Sequence, residues 1–305
     1  MRELRGRVAA ITGAGSGIGR ALADALVRQG AHVALSDVDD EGLAETARRC
    51  RDRGGVVTSS RVDVADRDAV EEWAGRVVTD HGRVNLLVNN AGVALGATVE
   101  SVSYEDFEWL MNIDFWGVVY GTKAFLPALK QSGEGHIVNV SSVFGLISVP
   151  SQSAYNAAKF AVRGFSDSLR MELEIEGANV SVTTVHPGGI KTNIARNARM
   201  DDTVRDVAGD PEKAVRDFER AFITSPEKAA DQILAAVRRD RRRALIGPDA
   251  KVIDLVSRLP AGIYQRVLTR GARSLGRGAP PTGVDGPGAE TVEGRSNGKA
   301  PATLD

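Results

Sequence analysis

The segment TGAGSGIG, residues 12–19, joins an apolar run at Val8–Thr12 to a helical pattern at Gly19–Gln29. The run predicts a strand and the pattern a helix, which puts the glycines in the turn between them. Glycines let the backbone approach a pyrophosphate closely, and the free N–H groups at a helix start favour negative charge. The spacing Thr-Gly-x-x-x-Gly-x-Gly therefore predicts a dinucleotide site, with a purely structural turn as the alternative. The cofactor contacts expected in this loop are Gly13, Ser16, Gly17, Ile18 and Gly19.

The alternation of short apolar runs and helical patterns continues along the chain, as in βαβ units with a parallel sheet. Most runs are apolar on both faces, which is expected when helices cover both sides of a sheet. We therefore predict an α/β fold, a doubly wound seven-stranded parallel sheet (Rossmann-like) in a single domain. The predicted strands are Val8–Thr12, His32–Ser36, Val57–Val62, Asn85–Asn89, His136–Ser141, Val180–Val185 and Ala244–Ile246. The predicted helices are Gly19–Gln29, Ala69–His81, Tyr104–Gln131, Tyr155–Glu174 and Pro226–Arg239.

Changes in composition divide the chain further. Residues 1–248 carry the strand and helix patterns and are predicted to form the cofactor-binding and catalytic domain, in which the polar residues 194–225 form a substrate lid. Residues 249–275 have apolar residues at helical spacing and predict an amphipathic helical extension, broken near Pro260 and Gly262. Gly and Pro dominate residues 276–305, which predicts a disordered tail.

Charge and cysteine content exclude several classes of protein. The formal net charge is −1, so nucleic acid is not an expected partner. The single cysteine, Cys50, cannot form an internal disulfide and lies in a helical stretch at Leu43–Arg53, which fits a reducing compartment. The sequence shows no signal peptide and no apolar run that could span a bilayer, so we expect a cytoplasmic protein. No metal site is predicted.

Asp37 follows the second predicted strand, eighteen positions after Gly19. A carboxylate there can accept hydrogen bonds from both hydroxyls of an adenine ribose, and it repels a 2′-phosphate. No basic residue stands at Ser16, Ser36 or Val38 to bind such a phosphate. The sequence therefore favours NAD over NADP, the alternative being that Asp37 only caps a turn.

Polar and small residues also follow the third and fourth predicted strands. A carboxylate after the third strand could reach the adenine amino group, and the stretch 89–92, Asn-Asn-Ala-Gly, leaves space for a cofactor. Each is a common turn residue, but ligands bind at the carboxyl ends of strands in open sheets, so together they indicate one site. The residues assigned to the cofactor here are Asp63, Val64, Asn90, Ala91 and Gly92.

Tyr155 and Lys159 stand one helical turn apart at the start of a predicted helix. A free tyrosine titrates near pH ~10 and is a poor base at neutral pH, but a nearby ammonium favours the phenolate. Ser141 and Ser142 end the preceding strand, where a hydroxyl can hold a substrate oxygen while Tyr155 transfers the proton. A nucleophilic serine is the rival interpretation, but no Gly-x-Ser-x-Gly motif surrounds these serines.

Together these motifs resemble the short-chain dehydrogenase/reductase family, in its compact single-domain branch, over residues 5–247. The resemblance rests on the loop at 12–19, Asp63, the stretch 89–92, Ser142, Tyr155 with Lys159, and the segment PGGIKT at 187–192. It implies hydride transfer between a nicotinamide and an alcohol or carbonyl carbon.

The resemblance also assigns individual roles. Ser142 rather than Ser141 takes the catalytic place, because the family's serine stands thirteen residues before the tyrosine. Lys159 is implied to bind the nicotinamide ribose as well as to tune Tyr155, so that both residues are catalytic and contact the cofactor. The carboxamide is implied to be held by the Ile190 backbone and the Thr192 hydroxyl. The cofactor residues of this segment are Pro187, Gly188, Ile190 and Thr192.

Asp114 departs from the family's pattern. The family places an asparagine three residues before the glycine that is Gly117 here, where it supports a water relay to the lysine. Asp114 could still anchor that water, or it could pair with Lys159 and weaken the effect of the lysine on Tyr155. We therefore include Asp114 among the candidate catalytic residues.

Apolar residues surround the predicted reaction centre, namely Val93, Leu95, Val143, Phe144, Leu146, Ile147 and Val149. Such a lining suits a hydrophobic alcohol or ketone, although several of these side chains could be ordinary core. The candidate substrate contacts are Leu95, Ser142, Phe144 and Tyr155.

The resemblance implies a homotetramer or homodimer, assembled through the long helices that begin near Tyr104 and Tyr155. Basic and apolar residues also alternate at helical spacing over residues 251–273. A basic amphipathic helix can lie on an anionic membrane surface as a peripheral contact. We expect this one instead to pack on its own domain or on a neighbouring subunit.

The sequence thus predicts an NAD(H)-dependent oxidoreductase that acts on CH–OH groups of a hydrophobic substrate, with Tyr155 as general acid/base. A catalytically weak NAD-binding regulator is the alternative, which Asp114 supports. An epimerase or dehydratase of the extended branch would need a larger substrate domain than the residues after Ile194 provide.

Overall fold

The computed structural model describes residues 1, 3–204 and 223–276. The strands are β1 (Val8–Thr12), β2 (His32–Asp37), β3 (Val57–Arg61), β4 (Leu86–Asn89), β5 (Leu95–Gly96), β6 (Gly135–Val140), β7 (Val180–Pro187), β8 (Arg199–Met200) and β9 (Arg243–Ile246). Residues 205–222 of the predicted lid, and the predicted tail after Gly276, lie outside the described residues.

Seven strands form one parallel sheet in the order β3-β2-β1-β4-β6-β7-β9. Its registers pair Ile11 with both Leu35 and Val88 at the centre of the sheet. The strand order reverses between β1 and β4, and ligands of such sheets bind where this happens. The predicted doubly wound α/β fold is confirmed. A separate parallel pair, β5 with β8, is only two residues long in each strand, too short for the sequence pattern to reveal.

Helices cover both faces of the sheet. They are α1 (Gly17–Arg28), α2 (Asp40–Asp52), α3 (Arg67–His81), α4 (Tyr104–Met111), α5 (Gly117–Gln131), α6 (Ser153–Glu176), α7 (Pro226–Arg238), α8 (Pro248–Ser257) and α9 (Ala261–Gly276). Along β1, Ala9 and Ile11 face a core shared with α1 and α7, while Val8 and Ala10 face a second core. In that second core the Trp73 ring of α3 meets Phe125 of α5 edge to face, 5.0 Å between centroids. Both faces of the strands are therefore apolar for the reason expected from the sequence.

The prediction of one continuous helix over Tyr104–Gln131 is wrong in one place. A π-helical turn, Asn112–Trp116, separates α4 from α5. A single π turn is short and rare inside a helix, so the helical pattern predicts one continuous helix through it. The turn contains Asp114, which is completely buried.

The C-terminal extension consists of two helices, α8 and α9, with Pro260 between them as predicted. Much of its apolar stripe, however, does not pack on the domain. Val252, Leu255 and Val267 are 62%, 67% and 64% exposed, so own-domain packing of these side chains is excluded. No helix among the described residues is both long and apolar enough to cross a bilayer.

Candidate active site

The loop between β1 and α1 forms a tight cradle. Gly13 and Gly17 have φ values of 64° and 51°, a region that L side chains rarely adopt. A Cβ on Gly13 would lie 2.7 Å from the Ala91 Cα, and one on Gly17 would lie 3.0 Å from the Thr192 Cγ2. Ser16 stands at the N-cap of α1 without a side-chain hydrogen bond to the helix. The first N–H groups of α1 thus remain for an anion.

Asn90 joins the cradle to β4. Its Nδ2 donates to the carbonyl oxygens of Thr12 and Gly13, at 3.0 and 3.1 Å. The Thr12 hydroxyl in turn accepts from the backbone N–H groups of Asn90 and Ala91, both at 3.0 Å. The structure therefore brings the predicted cofactor residues after β1 and β4 into direct contact.

Asp37 lies beside the glycine loop. Its carboxylate accepts from the Gly15 N–H at 2.7 Å and from the Asp39 N–H at 3.0 Å. A carboxylate has about four acceptor sites, so sites remain for ribose hydroxyls. Arg20, which sequence reasoning missed, holds this corner together by donating to Thr46 at 2.9 Å and to the carbonyl oxygens of Gly15 and Gly42.

Asp63 and Val64 follow β3, as predicted. The Asp63 carboxylate accepts from the Ala65 N–H at 2.9 Å and is exposed, which is also what a turn residue does. Val64 is buried against Gly117, where a Cβ would lie 2.9 Å from it.

The segment 187–192 leaves the end of β7 and crosses to the glycine loop. Gly189 N–H donates to the Asp249 carboxylate at 2.6 Å, which fixes the start of the segment to α8. Ile190 is buried and bridges to Thr224, and Thr192 lies against Gly17. The segment thus closes the cradle on the side opposite Asn90.

The two serines after β6 have different surroundings. The Ser141 hydroxyl donates to the Lys159 carbonyl oxygen at 2.8 Å and is occupied in joining β6 to α6. The Ser142 hydroxyl accepts from the Phe144 N–H at 3.1 Å, and it lies close enough to Tyr155 to lower the pKa of the phenol, against the larger effect of burial. Ser142 is the serine that the structure places beside the tyrosine.

Lys159 stands one turn after Tyr155 on α6, with its Nζ 5.5 Å from the centre of the Tyr155 ring. The same Nζ forms an ion pair with Asp114, 3.0 Å from Oδ2, and donates to the Val140 carbonyl oxygen at 3.3 Å. The other Asp114 oxygen accepts from the Val93 N–H at 2.8 Å. A Cβ on Gly92 would lie 3.4 Å from both the ammonium and the carboxylate, so the pair lies directly under the loop after β4.

Burial and charge shift the pKa values of these three groups. Burial raises the pKa of Tyr155, the Lys159 charge opposes this rise, and the Asp114 charge adds to it. Burial also raises the pKa of Asp114, against the opposing effects of Lys159 and the Val93 N–H. Burial alone would lower the pKa of Lys159, but the Asp114 and Tyr155 charges raise it above its ordinary value. The Asp114 carboxylate therefore disfavours the phenolate form of Tyr155.

His186, which the sequence analysis did not single out, hydrogen-bonds the backbone of Ser142. It is completely buried, and its Nδ1 donates to the Ser142 carbonyl oxygen at 2.8 Å. Burial lowers its pKa to about 4, so the ring is neutral near pH 7. In the sequence, only the position of His186 directly before Pro187 pointed to the site, and a single neighbouring position is a weak indication of function.

The predicted substrate residues differ in exposure. Phe144 is partly exposed and meets the Tyr155 ring edge to face, 6.2 Å between centroids. Leu95 is only 3% exposed and belongs to a small core with Leu110 and Ala158. The structure thus places Phe144 beside Tyr155 and Leu95 in a nearby core.

Comparison with known proteins gives one consistent family. The family model described as short chain dehydrogenase matches residues 7–203. SadH of Mycobacterium tuberculosis, which carries the name of an oxidoreductase, is 49% identical over 89% of this chain and 97% of its own length. Dehydrogenase/reductase SDR family member 7B of Xenopus laevis is 34% identical over 80% of this chain and 74% of its own length.

Solved structures agree with this match. A short-chain dehydrogenase/reductase from Burkholderia phymatum in complex with NAD has a TM-score of 0.78 and 33% identity, covering 88% of this chain and 97% of its own. An alcohol dehydrogenase from Thermococcus sibiricus complexed with 5-hydroxy-NADP has a TM-score of 0.64 and 26% identity, covering 76% of this chain and 90% of its own.

Proposed function

The chain belongs to the short-chain dehydrogenase/reductase family, and on that premise we propose that it is an NAD(H)-dependent oxidoreductase of a hydrophobic alcohol or ketone, with Tyr155 as general acid/base. The observation that carries the proposal is the position of Ser142, Tyr155 and Lys159 at the carboxyl edge of the sheet. They lie around the same strand ends as the glycine cradle, which is where an open α/β sheet binds its ligand.

The chain's own residues fit a dinucleotide. Gly13 and Gly19 admit no side chain, since a Cβ would lie within 2.7 Å of the Ala91 backbone at the first and would contact the Gly13 carbonyl oxygen at the second. The uncapped start of α1 offers N–H groups to a pyrophosphate, and Asp37 offers acceptor sites to a ribose. A bound nicotinamide supplies the acceptor or donor of the hydride.

The side chains move the proton. In alcohol oxidation the Tyr155 phenolate takes the hydroxyl proton while Ser142 holds the substrate oxygen, and in ketone reduction the phenol returns that proton. Lys159 favours the phenolate by its charge, and its ammonium is held under the site by Asp114 and the Val140 carbonyl oxygen. The edge of the Phe144 ring adds an apolar surface at the reacting carbon.

A turnover screen tests the proposal. Purified protein would be assayed with NAD and NADP against a panel of alcohols, and with the reduced cofactors against the matching ketones. We expect NAD-linked turnover of one or more apolar members. Tight NADH binding without turnover across the panel would instead support the alternative of an NAD-binding regulator, which the pairing of Asp114 with Lys159 favours.

We expect a preference for NAD that depends on Asp37. Asp37→Ala should narrow the ratio of kcat/KM between NAD and NADP by roughly tenfold or more, because a negative charge beside a 2′-phosphate is removed. The measurement is kcat/KM for both cofactors at fixed substrate. Asp40→Ala, an exposed carboxylate that starts α2, is the matched control and should leave the ratio unchanged. Equal kcat/KM for the two cofactors in the unmodified enzyme would contradict the assignment.

We also propose a homo-oligomer that assembles through the helices α4 to α6. Exposed apolar side chains on this surface are Tyr104, Trp116, Phe160, Met171 and Ile175. Such residues are typical of a face that another subunit covers. The reducing cytoplasm remains the expected compartment.

A further inference from the structure

The helices α8 and α9 carry an apolar strip that the domain leaves uncovered. Its exposed side chains are Val252, Leu255, Leu259, Ile263, Val267 and Leu268. Within α9, Ile263 and Val267 are four residues apart and lie on one side of the helix. Exposed apolar side chains thus stand on both helices, on either side of Pro260.

Positive charge flanks the strip on α9. Arg266, Arg270 and Arg273 are spaced by four and three residues, so they form one row beside the apolar side. All three are exposed, and the sequence of α9 contains no acidic residue. No carboxylate in the described part of the chain forms an ion pair with any of them. The helix thus combines an apolar side with an unneutralised cationic side.

Helix α9 contacts a loop of the proposed active site. Tyr264 of α9 places its hydroxyl 3.5 Å from the Ser148 backbone nitrogen. Ser148 belongs to the segment between Ser142 and Tyr155, so α9 contacts the loop that joins the two proposed catalytic residues. Whatever covers α9 also lies beside that loop.

We propose that α8 and α9 form a docking surface for an anionic lipid bilayer. An amphipathic helix with basic residues beside its apolar side lies in a membrane interface, where the apolar side enters the acyl region and the arginines meet lipid phosphates. The proposal concerns binding and goes beyond the proposed function, because it does not depend on turnover.

A second copy of this chain fits the surface less well. Two copies that met through α9 would bring two rows of arginines together, and α9 has no carboxylate to neutralise them. The carboxylates of α8 are already engaged, Asp249 with the Gly189 N–H and Asp254 with Arg243 and Arg258. The exposed apolar residues of α4 to α6 also supply a separate surface for assembly.

Vesicle flotation with the full chain tests the proposal. We expect the protein to float with vesicles of phosphatidylcholine and phosphatidylserine at low salt, to bind pure phosphatidylcholine vesicles far less, and to dissociate as salt rises. The triple variant Arg266→Gln, Arg270→Gln, Arg273→Gln should weaken binding on the order of a hundredfold, from about fivefold per arginine. The variant Val252→Ser, Leu255→Ser, Val267→Ser should also lose binding, because the apolar side no longer inserts.

The matched control is Arg48→Gln, Arg67→Gln, Arg76→Gln, which removes the same charge from exposed positions of α2 and α3. It should float like the unmodified protein. NADH binding and the circular dichroism spectrum of every variant report whether the fold is intact. Failure of the full chain to bind anionic vesicles, or equal loss in the control, would overturn the proposal. A smaller oligomer of the serine variant in light scattering without vesicles would assign the surface to a second copy instead.

Discussion

Tyr155→Phe is expected to lower kcat by about 10²- to 10⁴-fold, the usual contribution of a positioned acid or base. The phenylalanine ring keeps the edge-to-face contact with Phe144, so the shape of the site is preserved. What is lost is the hydroxyl beside Ser142 that is proposed to exchange the proton with the substrate. NADH affinity should change little, since the hydroxyl is required for proton transfer rather than for holding the dinucleotide. The measurements are steady-state kinetics on the best substrate of the screen and NADH titration by fluorescence.

Tyr104→Phe is the matched control. It removes the same hydroxyl group from a tyrosine that is 85% exposed at the start of α4, away from the proposed site. Its kcat should equal that of the unmodified enzyme. If Tyr155→Phe kept activity within a few-fold of normal, another group would have to be the acid/base, and the proposed mechanism would be abandoned.

Asp114→Asn is expected to move the rise of the pH–rate profile for alcohol oxidation to lower pH. The profile should move to lower pH because oxidation needs the Tyr155 phenolate and the Asp114 charge raises the pKa of Tyr155. A neutral amide removes that effect and leaves the Lys159 charge free to favour the phenolate. Activity near pH 7 should be at least as high as in the unmodified enzyme. The free energy of unfolding should fall, by less than the roughly 3–5 kcal/mol typical of a broken buried pair, because the amide oxygen can still accept from Lys159.

Asp24→Asn separates the charge effect from general destabilisation. Asp24 is also buried and paired, with Arg49 and Arg53, but it lies between α1 and α2. That variant should lose stability and keep the normal pH profile. A folded Asp114→Asn enzyme without activity would show that the carboxylate itself takes part in proton transfer, and an unmoved profile would show that its charge does not reach Tyr155.

Much of the fold followed from local pattern. The runs around Ile11, Val88 and Val138 are apolar on both faces, and helices on both sides of a sheet are the one arrangement that buries them. The position of the glycine loop could also be predicted from the sequence. Its backbone approaches a neighbouring strand so closely that only glycine fits there.

The rest depended on contacts between distant segments. The family's pattern pointed to Asp114 and offered a pair with Lys159 as one of two alternatives, but the 3.0 Å distance between them and the π turn that contains Asp114 come only from the structure. Arg20 and His186 act through backbone carbonyl oxygens of Gly15 and Ser142, and a carbonyl carries no sequence signal. The exposed strip on α9 was likewise beyond the sequence, since an amphipathic pattern does not say what covers it.

Two buried histidines make acid a selective denaturant of this sheet. His136 of β6 donates from Nε2 to the Thr183 hydroxyl at 2.8 Å, and His186 lies under Ser142. Burial lowers the pKa of His136 to about 3 and that of His186 to about 4. In the unfolded chain both would titrate near pH ~6.5, so between there and about pH 4 only the unfolded form takes up these two protons. Each pH unit between the folded and unfolded pKa values corresponds to roughly 1.4 kcal/mol for each histidine. Proton uptake by the unfolded chain therefore lowers the free energy of unfolding by several kcal/mol across this window. Mild acidification therefore acts on β6 and β7, the strands beside Ser142, while the surface ion pairs are still formed.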